Sequence, residues 1–132
     1  MERHYFAPQK EIILRDFRNM KVWEKAHLLT LRVYKATAGF PRAELYGLTS
    51  QVRNASSSIP SNIAEGCGRS TEAEFAHFLQ ISMGSASELE YRLLLSRELQ
   101  YLDSTNHLEL EAQVTEVKRM LASLIRKLKP DR

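Results

Sequence analysis

The sequence predicts an all-α protein, an antiparallel up-down-up-down four-helix bundle with a short N-terminal arm. Three observations predict it. Apolar residues recur at steps of three and four through four long stretches, the spacing that lines one face of a helix. Turn and capping residues separate those stretches at Gly39-Phe40-Pro41, Gly66-Cys67-Gly68 and Asp103-Ser104-Thr105-Asn106. The 132 residues include only 5 glycines and 4 prolines, too few turn formers for an all-β chain of one domain.

Residues 1–16 read as an arm, with charges alternating with short apolar pieces and Pro8 interrupting them. Ile12, Ile13 and Leu14 offer it a way to dock on the bundle. The bundle itself is expected over 17–129. Its first helix should span Asn19 to Ala38, with Val22, Ala26, Leu29, Val33 and Ala36 facing inward. Gly39 stops it, since glycine tolerates the left-handed position after a helix. Pro41 suits the start of the next helix, where a missing N–H is harmless.

The second helix is expected over Ala43 to Gly66, on the stripe Leu45, Leu48, Val52, Ala55, Ile59 and Ile63. Pro60 falls inside it. Proline cannot donate to the carbonyl of Ser56 and crowds it, so a kink is expected. The stripe keeps phase across Pro60, which favours a kink over a break into two helices. Nearby serines or water are the expected donors to the freed carbonyl.

Thr71-Glu72-Ala73-Glu74 reads as a capping box opening the third helix. That helix should reach Tyr101, with Phe75, Phe78, Leu79, Ser82, Ala86, Leu89 and Leu93 inward. After a polar loop at 103–106, the fourth should cover His107 to Leu128. Leu110, Val114, Val117, Leu121, Leu124 and Leu128 form a heptad seam, the pattern of near-parallel packing. The loops are short enough to require antiparallel neighbours.

Some apolar residues miss these stripes. Ile81, Gly84, Tyr91 and Leu95 lie opposite the third helix's inner face, as do Leu28 and Leu31 on the first. A second apolar face on one helix points to self-association.

The totals exclude several functions. The net charge of +3 is mildly basic, compatible with nucleic acid or an acidic protein and requiring neither. Cys67 is the one cysteine, so no intrachain disulfide forms, and no adjacent base marks it as a nucleophile. No apolar run approaches the length of a membrane span. The N-terminus lacks a secretion signal, so the expected location is cytoplasmic, with no membrane partner.

Two Glu-x-x-His pairs, Glu24/His27 and Glu74/His77, invite comparison with di-iron bundles. Both face away from the inner stripes, so no metal site is expected. Gly66-x-Gly68 follows a helix and no Gly-Lys-Ser/Thr follows it, which removes a phosphate loop. Ser56, Ser57 and Ser58 have no nearby activating base and read as small residues at a close helix contact. No catalytic residue and no cofactor is expected.

The polar set of interest is Asn62, Glu65, Gly66, Gly84, Ser85 and Glu88, read as a packing or subunit-interface motif. Two outcomes stay open for it: a buried network fixing register, or glutamates in solvent beside small residues that let backbones approach. Basic residues collect near the C-terminus: Lys118, Arg119, Arg126, Lys127, Lys129 and Arg132. They suit a helix C-terminus electrostatically. In an oligomer they would be multiplied into a surface for RNA phosphates or an acidic protein, with Arg42, Arg53 and Arg69 adding to it. No RNA-recognition motif with paired aromatics is present.

Four strings carry a resemblance: Phe17-Arg18-Asn19-Met20-Lys21-Val22-Trp23, Tyr46-Gly47-Leu48-Thr49-Ser50-Gln51-Val52-Arg53, Ser58-Ile59-Pro60-Ser61-Asn62-Ile63-Ala64-Glu65-Gly66 and Gly84-Ser85-Ala86-Ser87-Glu88-Leu89-Glu90. With them, Phe17 to Leu128 resembles the four-helix-bundle family of 23S rRNA intervening-sequence proteins of bacteria. The resemblance implies a ring-shaped homopentamer. A related branch, the accessory variability determinants of diversity-generating retroelements, binds a reverse transcriptase and nucleic acid through basic surfaces. The resemblance therefore makes RNA or a nucleic-acid enzyme the expected partner, and implies no enzymatic role.

Overall fold

A computed structural model of the protein describes residues 15–128. The expected arm (apart from Arg15 and Asp16) and Lys129 thus lie outside the described residues. Four helices make the bundle: α1 Lys21–Thr37, α2 Leu48–Cys67, α3 Glu72–Glu98 and α4 Ser104–Leu128. Single 3-10 turns sit at Phe17–Asn19 and Arg42–Glu44, and no strand occurs among the described residues. Each helix packs on its two neighbours and none on the helix diagonally across, the arrangement of an antiparallel square.

The inner stripes meet in one core. Val22, Ala26, Leu29 and Val33 of α1 face Val52, Ala55, Ile59 and Ile63 of α2, Phe75, Leu79, Ala86, Leu89 and Leu93 of α3, and Val114, Val117 and Leu121 of α4. Each large member contributes about 1.5–3 kcal/mol by leaving water.

Several boundaries differ from expectation, each for a local reason. The first helix begins at Lys21, after a 3-10 turn in which Asp16 Oδ1 accepts from Arg18 N at 3.0 Å. The second begins at Leu48, five residues late, because Gly47 at φ −115°, ψ −112° leaves helical space. Glu44 then serves both sides of that turn: its Oε1 accepts from Leu48 N at 3.1 Å and its Oε2 from Tyr101 OH at 3.1 Å. Leu45 is consequently 45% exposed and outside the core, while Phe40 is buried.

The third helix stops at Glu98. Gln100 takes the left-handed conformation at φ 67°, Gln100 N donates to Arg97 O and Tyr101 N to Ser96 O, both at 2.9 Å. This is a Schellman cap with glutamine where glycine is usual. At the other end Thr71 Oγ1 accepts from Glu74 N at 3.1 Å; the reciprocal half of the box does not form among the described residues. The fourth helix starts three residues early, since Asp103 Oδ1 caps it from Asn106 N at 2.7 Å.

Two inner stripes also shift. On α4 the buried face runs from His107 to Ile125, and Leu124 and Leu128 are half-buried at its edge. A straight helix drifts about 20° per heptad against a strict seven-residue repeat, which brings Ile125 inward. On α1 Thr37 is buried instead of Ala36, its hydroxyl donating to Val33 O at 2.8 Å.

Pro60 does not break α2, which is one helix to Cys67. The carbonyl that it frees, Ser56 O, accepts from Thr30 Oγ1 of α1 at 2.9 Å. The donor is thus a neighbouring helix's threonine rather than a local serine. One residue earlier, Ile59 O accepts an additional bond from the buried Ser82 Oγ of α3 at 2.8 Å. Side-chain hydroxyls on both flanks therefore hold the proline turn.

Candidate self-association and partner surfaces

The polar set of α2 and α3 forms a partly buried seam along one groove. Ser58 Oγ and Ser85 Oγ are 2.7 Å apart, and Asn62 Nδ2 donates to Ser58 O at 2.8 Å and lies 3.0 Å from Ser58 Oγ. Ser58 is the link between Asn62 and Ser85. Its place one turn before Asn62 was the available signal. The two glutamates stay outside this link. Glu65 is exposed and pairs with Arg69 at 2.7 Å, and Glu88 is exposed and pairs with Arg92 at 2.8 Å. Arg92 also donates to Gln51 across the groove. Exposed pairs of this kind are worth about 0–1 kcal/mol, so they orient side chains more than they stabilise the bundle.

The two glycines of the set have opposite surroundings. A Cβ at Gly66 would lie 3.0 Å from Phe75 Cδ1 and 3.0 Å from Phe78 Cβ. Gly66 thus lets the end of α2 meet the start of α3. A Cβ at Gly84 would meet nothing within 4 Å. Around Gly84 the outer face of α3 shows Ile81 and Tyr91, the latter 60% exposed. Leu95 does not share that face; it is half-buried against the core. On α1, Leu28 and Leu31 are exposed as expected, and Tyr34 joins them.

The basic residues divide into two groups. Arg53, Arg69 and Lys118 are engaged inside the chain. Arg53 Nε donates to Thr37 Oγ1 at 2.8 Å and its NH2 to Tyr34 O at 3.3 Å, with the guanidinium 4.7 Å over the Tyr34 ring. It thereby caps the C-terminal turn of α1. Arg69 lies 4.7 Å over the Phe78 ring, and Phe78 is half-buried rather than core. Lys118 Nζ joins Glu90 Oε1 of α3 at 2.8 Å. By contrast, Arg119, Arg126 and Lys127 are exposed, and no described carboxylate forms an ion pair with them. The segment from 103 to 116, the cap and first half of α4, carries Asp103, Glu109, Glu111 and Glu116 with no Lys or Arg, and 118–128 carries four cations with no carboxylate. This polarity suits the helix dipole and leaves one end of the bundle positive.

The Glu-x-x-His pairs, Cys67 and the serines of α2 lie apart. Glu24, Glu74 and His77 are exposed, and His27 stacks on Trp23 with ring centroids 4.9 Å apart. The described residues hold no cluster of three His, Cys, Asp or Glu side chains able to bind a metal. Burial pushes the Cys67 thiol above its ordinary pKa, with Asp16 acting the same way and Arg15 opposing. Cys67 is packed against Met20, whose sulfur is 3.3 Å away, so it is a protonated core residue. Ser56 and Ser57 donate to carbonyls of their own helix, Arg53 O and Asn54 O, at 2.8 and 3.3 Å. No described helix is long and apolar enough to cross a membrane.

Comparison with known proteins adds two findings. A family model described as "23S rRNA-intervening sequence protein" matches residues 18–123. The fold is similar to the crystal structure of a protein of unknown function from the S23 ribosomal protein family of Bacteroides thetaiotaomicron. The two are 25% identical with a TM-score of 0.71, over 79% of this chain and 97% of that one. No curated protein matches.

Proposed function

This chain belongs to the 23S rRNA-intervening sequence protein family, and on that premise we propose that it is a non-enzymatic, cytoplasmic, homo-oligomeric scaffold that binds RNA or a nucleic-acid enzyme. The proposed assembly is a pentamer. One observation carries the reading: the outer face of α3, where Gly84 has open space beside exposed Ile81 and Tyr91. A helix gains nothing from an exposed mid-helix glycine, which costs about 0.5–1 kcal/mol against alanine. A neighbouring subunit's backbone approaching there gives the residue a use. Assembly then repeats the positive end of α4 around the ring, so that Arg119, Arg126, Lys127 and, beyond the described residues, Lys129 present one multiplied charge to phosphates.

The test is RNA binding by the full chain across a salt series, with the double variant Arg126→Glu/Lys127→Glu beside it. The reading expects affinity to fall steeply with salt, and the variant to lose at least about tenfold. Undiminished RNA retention by the variant would remove the α4 end as the binding surface.

A second reading has its own observation. Tyr46 is 93% exposed, and Leu45, Leu99 and Leu108 are also exposed toward the other end of the bundle. Such residues suit a structural oligomer with a protein partner and no nucleic acid, or an accessory subunit of a reverse transcriptase held by protein contacts. Indifference to RNA together with recovery of one defined protein partner would favour it.

A further inference from the structure

Among the clefts of the described surface, four have a carboxylate in their walls: Glu109, Glu72, Glu88, and Glu98 with Asp103. Another, about 470 Å³, lies between the first turn of α1 and the last turns of α4 and has none. Its apolar floor includes Met20, Met120 and Leu124, and its rim is Lys21, Arg119 and Lys127. Lys21 shares its charge with exposed Glu24 at 3.6 Å. No described carboxylate pairs with Arg119 or Lys127. The cleft thus combines net positive charge with an apolar floor, at a volume suited to one small ligand unit.

That combination selects among nucleic acids. A duplex offers phosphates and keeps its bases stacked inside, so it can use the rim alone. An unpaired nucleotide offers an anion and a flat, weakly polar base together. Methionine side chains are polarizable and adapt to flat rings, and Met20 and Met120 both line this floor, the Met20 sulfur itself lying against Cys67. We infer that the α1–α4 cleft takes one unpaired nucleotide of single-stranded RNA. The base lies on Met20, Met120 and Leu124, and the adjoining phosphate on Lys21, Arg119 and Lys127. This deepens the RNA reading above and rests on it.

The experiment compares a fluorescein-labelled, non-pairing ten-nucleotide RNA with its duplex, by anisotropy on the full chain. Wild type should bind the single strand more tightly by about tenfold, the scale of one base stacked on a side chain. Met120→Ser should remove most of that preference without changing duplex affinity or its salt dependence, and Met120→Leu should retain it. Equal binding of both RNAs, or equal weakening of both by Met120→Ser, would overturn the cleft as a base site while leaving the basic surface intact. Binding of neither RNA would overturn the RNA reading itself, and capture of an acidic apolar peptide in place of RNA would do the same. Photocrosslinking from a single 4-thiouridine gives a readout independent of the variants. Attachment within 20–22 or 119–127 is expected, and attachment confined elsewhere would contradict the assignment.

Discussion

Gly66 and Gly84 belong to the same polar set and stand near the same pair of helices, yet they do opposite things. Gly66 is buried where α2 turns into α3, and a Cβ there would press on Phe75 and Phe78 at 3.0 Å. Gly84 is exposed, and a side chain there would strike nothing in its own chain. The inward region is closed by contacts within one subunit. Beside it Cys67 packs on Met20, and further along α2 Thr30 reaches the carbonyl freed by Pro60. The outward region has an apolar surface with no use inside the subunit. Fold and assembly can thus be separated by substitutions on the two sides.

Gly66→Val should have the largest effect on stability. Overpacking of this kind costs about 1–3 kcal/mol or more, and thermal melts should show a midpoint lowered by several degrees. A midpoint equal to wild type would mean that the α2–α3 corner relaxes freely. Next is Thr30→Val, which leaves Ser56 O without its donor and should cost about 1–3 kcal/mol. In a Pro60→Ala background the backbone N–H of residue 60 can serve that carbonyl. The cost of Thr30→Val should then shrink, a coupling that urea melts of all four proteins would measure.

Gly84→Ala should act in the opposite sense on the fold. It should raise the stability of the dissociated chain by about 0.5–1 kcal/mol, in denaturation at low protein concentration. A loss there would show that Gly84 is needed within the subunit and would collapse the contrast. The smallest effect concerns Cys67. Burial holds its folded pKa above the unfolded value, so its contribution is fully present below about pH 8.5 and is lost as pH rises through the folded pKa. Stability-versus-pH curves should therefore be flatter above that range for Cys67→Ala.

Much of the fold was legible because single-helix periodicity dictates it. Val52, Ala55, Ile59 and Ile63 needed only a count of residues. What was not legible depends on other helices or on exact phase. Leu45 sits on a helical stripe, but Gly47 leaves helical space and puts it outside α2. Leu124 fits a heptad until helical drift brings Ile125 inward. Nothing in the spacing of α1 announces that Thr30 will serve α2. At the candidate surfaces the sequence singled out Asn62 and Ser85, and put Ser58 at a close helix contact without showing that it links the two. It also grouped all the basic residues together. Arg53 and Lys118 make specific bonds inside the chain, a distinction that composition does not contain. Met20 and Lys21 counted only as part of the string that carries the family resemblance, because their cleft exists only once α1 and α4 are packed.

The most direct test is the solution mass of wild type and Gly84→Leu, by light scattering on a sizing column, with circular dichroism alongside. Five chains are expected for wild type, and a smaller assembly for Gly84→Leu at unchanged helicity. A wild-type monomer of 15.2 kDa, or a pentamer untouched by leucine at position 84, would contradict the outer face of α3 as the surface on which this protein assembles.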